Sequence, residues 1–182
     1  MLPVKGQFGI FNRAHYENVL VTTVHPAYLM AENLLYLSGP ENATADFREM
    51  RFDQIRNFEK ELAQNGTVIF KFYLHLGKEL QKNRLIRRLQ TPEKNWKFAA
   101  DDLKERKLRD KYMSCYQDAI QKTTTDHALR FIIPADDKPM ARLTVCDIMN
   151  ATLSKLTHVQ TPPLDEEKRQ KLNCYIKELN EE

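Results

Sequence analysis

Glycine is scarce in this chain, with five among 182 residues, and no run of the form G-x-x-x-x-G-K-[ST] occurs anywhere in it. A backbone cradle for a nucleotide's phosphates, built from such a run, is therefore not to be sought in these residues. Cysteine is also sparse: Cys115, Cys146 and Cys174 are odd in number, far apart, and form no C-x-x-C pair. That usage suits a reducing cytoplasm and argues against a disulfide framework or structural zinc. The five histidines show no metal-ligand spacing. No apolar stretch approaches the eighteen or so residues that a membrane span requires, and Met-Leu-Pro-Val-Lys-Gly carries no apolar leader segment. Cytoplasmic placement without a membrane partner is the expectation.

What is present describes an ordinary folded domain. Apolar residues make up 42% and charged residues 29%, with a net charge of only +3. The charge is unevenly spread. From Lys78 to Lys111 there are twelve Lys or Arg against six Asp or Glu, so the remainder of the chain is net acidic. Such a segment can hold a phosphate-rich ligand or simply form a solvated helical face.

Three short β-like runs stand out: Phe8–Phe11, Val68–Leu74 and Phe131–Pro134. Between them the period is helical. Phe47, Ile55, Phe58 and Leu62 mark one helix, closed by the C-cap pair Asn65-Gly66. Leu85 and Leu89 continue a basic helix. Leu103, Leu108, Tyr112, Cys115 and Ala119 mark a third, with Asp101 or Asp102 to cap it. Leu143, Ile148, Thr152 and Leu156 suggest a fourth from near Pro139. Thr161-Pro162-Pro163 breaks the chain before a last amphipathic helix carrying Leu164, Leu172, Tyr175, Ile176 and Leu179. Strands alternating with long helices predict an α/β fold, a parallel sheet with helices on both faces. Chemistry in such sheets gathers at the carboxyl ends of the strands. Those ends carry Asn12, Arg13 and Ala14, then His75, Gly77 and Lys78, then Pro134 to Asp137, and the basic segment starts at one of them.

Four ordered stretches carry a resemblance. They are G-I-F-N-R-A-H-Y-E-N-V-L-V (Gly9 to Val21), N-G-T-V-I-F-K-F-Y-L-H-L (Asn65 to Leu76), P-E-K-N-W-K-F-A-A-D-D-L-K-E-R (Pro92 to Arg106) and I-P-A-D-D-K (Ile133 to Lys138). Together they resemble the signatures of the family-2 polyphosphate kinases. The resemblance implies a P-loop-kinase-like sheet with a helical lid at about residues 77–112, within a partial kinase domain over 1–157. Residues 158–182 then form a linker and an appended helix. It further implies phosphoryl transfer between inorganic polyphosphate and a nucleoside mono- or diphosphate, with Mg2+ on the phosphates. The family's phosphate-loop strand lies mid-sheet, between the strand ending at Arg13 and the one ending at His75. This chain starts after it, so the expected sheet is incomplete and the chain alone is expected to be inactive. The magnesium ligands are expected in the same missing part, with no metal ligands in this chain. The alternative is a non-catalytic polyanion-binding or assembly remnant. Ala14, Arg109, Leu129-Arg130 and Pro139-Met140 depart from the family's usual residues.

Phosphoryl transfer between anions needs positive groups where charge redistributes, and arginine's planar fork suits them. Arg13, Arg84 and Arg88 are the catalytic candidates. With Lys71, Arg87, Lys94 and Lys97 they make up the candidate polyphosphate-binding set. Arg84 and Arg88 share a helical face; Arg87 is one step off and stands equally as a solvated residue. Arg13 has a salt bridge with Glu17 as its alternative. Lys71 inside an apolar strand calls for a phosphate or carboxylate partner. Trp96 is expected to anchor the lid, and Arg106 to pair with Asp102. Glu17, Asp53 and Glu59 are candidates for orienting a nucleotide. No nucleic-acid partner is expected, because the few aromatics form no stacking platform among the basic residues. Exposed strand edges make self-association, as a homo-oligomer, an expectation as well.

Overall fold

The computed structural model describes residues 2–4, 6–35, 37–156 and 164–181. Seven α-helices and two strands are found among them: α1 (Tyr16–Val24), α2 (Ala45–Gln64), β1 (Lys71–His75), α3 (Lys78–Gln90), α4 (Asp101–Lys107), α5 (Arg109–Thr123), β2 (Arg130–Pro134), α6 (Lys138–Leu153) and α7 (Glu166–Glu181). The fold is a helix-rich α/β arrangement around a small parallel sheet. Contacts divide the chain into a unit of Met1–Val145 and one of Cys146–Glu182. The second holds the end of α6 and all of α7. The expected boundary at 157/158 and the break at Thr161-Pro162-Pro163 lie outside the described residues.

α2 forms where its end signals require. Thr44 Oγ1 accepts the Phe47 amide at 3.2 Å, satisfying one orphan donor of the first turn. At the other end Gly66 adopts φ +86°, the left-handed conformation that closes a helix most cheaply in glycine. The Thr67 amide reaches back to the Leu62 carbonyl at 3.0 Å, and that of Gly66 to Ala63 at 3.0 Å, the paired bonds of a Schellman ending. The buried face of α2 is Phe47, Phe52, Ile55 and Glu59, with Phe58 exposed. The helix is thus turned slightly from the apolar stripe read in the sequence.

Tyr16, Val19, Leu20 and Val24 of α1 pack with Phe52 and Ile55 of α2 and with Cys115 and Ala119 of α5. α1 is rich in β-branched residues, and its threonines satisfy themselves locally. Thr22 Oγ1 donates to the Asn18 carbonyl at 2.7 Å and Thr23 Oγ1 to that of Val19 at 2.7 Å. The expected third helix is two, α4 and α5, separated at Leu108.

β1 and β2 pair in parallel, with Lys71 opposite Arg130 and His75 opposite Pro134. The run Phe8–Phe11 is not a strand. Among the described residues no strand lies beside it to take its ladder hydrogen bonds, and Ile10 is 95% exposed. The three expected strands are two.

The sheet is fastened to the helices through Lys71. Its side chain is 8% exposed, and the ammonium donates to Glu59 Oε2 at 2.8 Å, to the Thr123 carbonyl at 2.8 Å and to Tyr16 Oη at 3.1 Å. All three protons are used, so β1 is tied to α2, α5 and α1 at one point. Tyr16 donates its own hydroxyl to Glu59, which is 2% exposed. Burial pushes the Glu59 carboxyl up, but hydrogen bonds from His15, Lys71 and Tyr16 outweigh it and hold it below its ordinary value of 4.5. Burial pulls Lys71 below the ordinary ammonium range against the pull of Glu59. With every proton donated, the charged pair is the form that fits this geometry.

Removing one partner leaves an uncompensated buried charge. Lys71→Met is expected to lower stability by about 3–5 kcal/mol in denaturant unfolding, and Lys71→Met with Glu59→Met by much less. Because the folded Glu59 pKa is depressed, its contribution is present above pH 4.5 and is lost as pH falls through the folded value. Stability measured against pH should fall in that acid range, and the fall should be shallower in Glu59→Gln.

Candidate functional site

The strand ends and the segment that follows β1 build one basin. α3 begins two residues after β1, and its first free amide, Gly77 N, donates to Asp136 Oδ1 at 2.7 Å. A Cβ at position 77 would lie 2.7 Å from Asp136 Oδ2, so a larger residue there would push the Asp136 carboxylate aside. The turn after β2 is thereby fastened to the start of α3. At the other end of α3, Arg87 and Arg88 lie in the last turn, where the helix dipole favours cations. Thr91-Pro92 ends the helix, and a 3-10 turn over Pro92–Lys97 brings Lys94 and Lys97 round.

The result is a cavity of about 240 Å³ lined by Arg84, Arg87, Arg88, Lys94, Lys97 and Lys138. All six lining residues are cationic and none is acidic. Two of the arginines are oriented by the protein. Arg84 Nη2 donates to the Ala135 carbonyl at 3.1 Å. Arg88 Nη1 donates to Asp102 Oδ2 at 3.1 Å and to the Lys97 carbonyl at 3.3 Å. An arginine has five donors, so both keep several for a ligand. Among the described residues, the side chains of Arg87, Lys94 and Lys138 have no hydrogen-bonding or ion-pair partner. Like charges gathered in this way repel, and a polyanion relieves the repulsion while accepting the spare donors.

Five of the residues nominated from the sequence meet here: Arg84, Arg87, Arg88, Lys94 and Lys97. The others lie elsewhere. Lys71 is consumed by Glu59, Tyr16 and Thr123, so its partner is a carboxylate of the protein, and the same bonds remove Glu59 from any ligand. Arg13 has φ 72° and pairs with Glu17 at 3.3 Å, its side chain 79% exposed. Asp53 is exposed and pairs with Arg56. Arg106 does not pair with Asp102, which goes to Arg88. It reaches instead to Gln81 Oε1 at 2.6 Å and the Lys78 carbonyl at 3.1 Å, binding α4 to the first turn of α3. Trp96 does not anchor the lid by burial, being 78% exposed, with Nε1 held by the Glu93 carbonyl at 3.1 Å. Lys138 was missed. It stands one residue beyond the strand-end group Pro134 to Asp137, within reach of the same strand-end argument.

Magnesium is implied by the resemblance. Among the described residues no group of three or more His, Cys, Asp or Glu is arranged to hold a metal ion. Also among the described residues, no helix is long and apolar enough to cross a membrane.

Comparison with known proteins supplies an independent line. The family model for polyphosphate kinase 2 matches residues 1–161. An ADP-polyphosphate phosphotransferase of Rhodopseudomonas palustris is 42% identical over 164 residues, covering 89% of this chain and 56% of that protein. An AMP/ADP-polyphosphate phosphotransferase of Meiothermus ruber is 41% identical over 155 residues, covering 85% and 52%. The crystal structure of polyphosphate kinase 2 from Arthrobacter aurescens TC1 superposes with a TM-score of 0.80 at 34% identity, covering 96% of this chain and 56% of that one. The chain thus spans about half the length of these relatives.

Trp96 is the chain's single tryptophan, and Lys97 Nζ lies 5.0 Å from the centre of its ring. Inorganic tripolyphosphate entering the basin should draw Lys97 away and change the Trp96 emission. In Lys97→Gln the response should be largely lost. An unchanged wild-type spectrum at saturating tripolyphosphate would contradict this use of the basin.

Proposed function

Since the chain belongs to the polyphosphate kinase 2 family, we propose that its basin binds inorganic polyphosphate during phosphoryl transfer between that polymer and a nucleoside mono- or diphosphate. The observation that carries this reading is the gathering of six cations, with no acid among the lining residues, at the carboxyl end of the parallel sheet. Inorganic polyphosphate offers closely spaced anionic oxygens and neither base nor sugar. The basin offers charge and hydrogen-bond donors and, in its lining, no aromatic or neutral polar side chain to read a base or a ribose.

In this reading the arginines do the electrostatic part of the reaction. Charge redistributes over the phosphoryl oxygens as the group passes from one anion to the other, and Arg84 and Arg88 hold forks aimed by the Ala135 carbonyl and by Asp102. Pre-aimed forks need no reorientation at that moment. Lys94 and Lys97, carried on the 3-10 turn, would neutralise neighbouring phosphates and help exclude water, which favours transfer over hydrolysis. Arg13 is available if its exposed pair with Glu17 opens, which costs little in water. Glu17 and Asp53 remain the nucleotide-side candidates on the same ground. Magnesium, when bound, would neutralise phosphate charge.

The 182 residues hold no G-x-x-x-x-G-K-[ST] run, and we infer that the chain alone binds polyphosphate without turning it over, a phosphate loop from other polypeptide being needed. The test is the purified chain, free of host kinases, with polyphosphate, ADP or AMP and Mg2+. Binding without nucleotide phosphorylation is expected, and tighter binding to polyphosphate than to single-stranded DNA of equal charge. Robust turnover would contradict the inference about the isolated chain. Failure to bind polyphosphate, or preference for the DNA, would contradict the assignment of the basin.

A further inference from the structure

The helix that aims Arg88 is not held by apolar packing. α4 is seven residues long, none of them is buried, and its one large apolar side chain, Leu103, is 48% exposed. A helix that short has little stability of its own in water. Three polar side chains fix it instead. Asp102 goes to Arg88, and Arg106 to Gln81 and the Lys78 carbonyl, all on α3. Glu105 goes to the helical body. Its Oε2 accepts from Tyr112 Oη of α5 at 2.7 Å and from His25 Nε2, at the end of α1, at 3.0 Å. A carboxylate only accepts, so Nε2 carries the proton of that bond. Hydrogen bonds from Tyr112 and His25 hold the Glu105 carboxyl below its ordinary value.

The receiving end is itself tied down. The His25 ring stacks on that of Tyr28, with centres 5.2 Å apart and planes at 29°. Its amide closes α1 on the Val21 carbonyl at 2.8 Å, and Lys111 Nζ of α5 donates to the Val24 carbonyl at 2.8 Å. We propose that His25, Tyr112 and Glu105 are positioning residues of the basin: they hold α4 on the helical body, so that Asp102 keeps Arg88 aimed. Arg88 is then fixed by the body as well as by its own helix, which lowers the freedom lost when an anion binds. The inference rests on the proposed function only for what the basin binds. The coupling from His25 to Arg88 is a property of the unliganded chain.

The experiment is side-chain 15N NMR of the full chain, following Arg88 Nε without ligand, together with titration by inorganic tripolyphosphate. The proteins are the wild type, His25→Ala, Tyr112→Phe, Asp102→Ala, and His25→Ala combined with Asp102→Ala. The first two substitutions keep every carboxylate, so the acids near the basin are unchanged. Each is expected to move Arg88 Nε part of the way toward its position in Asp102→Ala, and His25→Ala to weaken tripolyphosphate binding roughly threefold. With Asp102 already removed, His25→Ala should move Arg88 no further, because the coupling runs through that carboxylate. Arg51 and Arg56, paired elsewhere in the fold, should stay in place throughout, which separates release of α4 from loss of the fold. An Arg88 resonance unmoved by both His25→Ala and Tyr112→Phe, or moved equally with and without Asp102, would overturn the inference and leave the assignment of the basin standing. So would movement of Arg51 and Arg56 along with Arg88, or an unchanged affinity where Arg88 has moved. If the wild type does not bind tripolyphosphate, the assignment of the basin falls, and Arg88 Nε still decides the coupling.

Discussion

One buried ion pair sets where the rest of the first unit stands. Lys71 opens β1, and its ammonium is shared among Glu59 of α2, Tyr16 of α1 and the Thr123 carbonyl at the end of α5. A sheet of two strands has little surface with which to fix itself against helices by packing alone. A charge that cannot be left unpaired does it instead, because every alternative placement of β1 strands an ion away from water. The register follows: with Lys71 fixed, His75 stands opposite Pro134, and both strands end at the same level. α3 and α6 then start side by side from those ends, fastened by Asp136 to Gly77. The basin is what these constraints leave between α3, the 3-10 turn and the β2–α6 corner.

The site works on the opposite electrostatic principle from the core. Around Lys71 the protein supplies a counter-charge and uses every proton. In the basin it gathers six cations and supplies one carboxylate, Asp102, and that only to aim Arg88. Repulsion left in place is free energy that an anionic ligand can release. Membership of the polyphosphate kinase 2 family is the ground on which a polymer of phosphates is proposed as the relief for that charge.

Much of this was legible in the residues because local signals agreed with tertiary ones. Thr44 and Asn65-Gly66 mark the ends of α2 in one dimension and cap it in three. Arg84 and Arg88 could be named from helical spacing and from the start of the basic segment at a strand end, and Lys94 and Lys97 from the resemblance of the stretch that follows. What was not legible depended on partners distant in sequence. Phe8–Phe11 has strand composition, but a strand needs a neighbour, and none lies beside it among the described residues. Glu59 reads in the sequence as a nucleotide-orienting candidate because its cation lies twelve residues on and its phenol forty-three back. Asp102 and Arg106 have the spacing of a helical pair, yet α4 is short and each finds a better partner on α3. Lys138 was missed because its five companions come from a different stretch of chain.

The central claim is that the cations of the basin, and not basic residues generally, receive the phosphates. It is tested most directly by side-chain 15N NMR of the 182-residue chain titrated with inorganic polyphosphate, following the arginine Nε and lysine Nζ resonances. The account predicts that Arg84, Arg87, Arg88, Lys94, Lys97 and Lys138 shift together and saturate together, while Arg51, Arg56 and Lys71, already paired within the fold, remain where they were. Shifts spread evenly over the exposed arginines and lysines, with no saturating set at the basin, would contradict it.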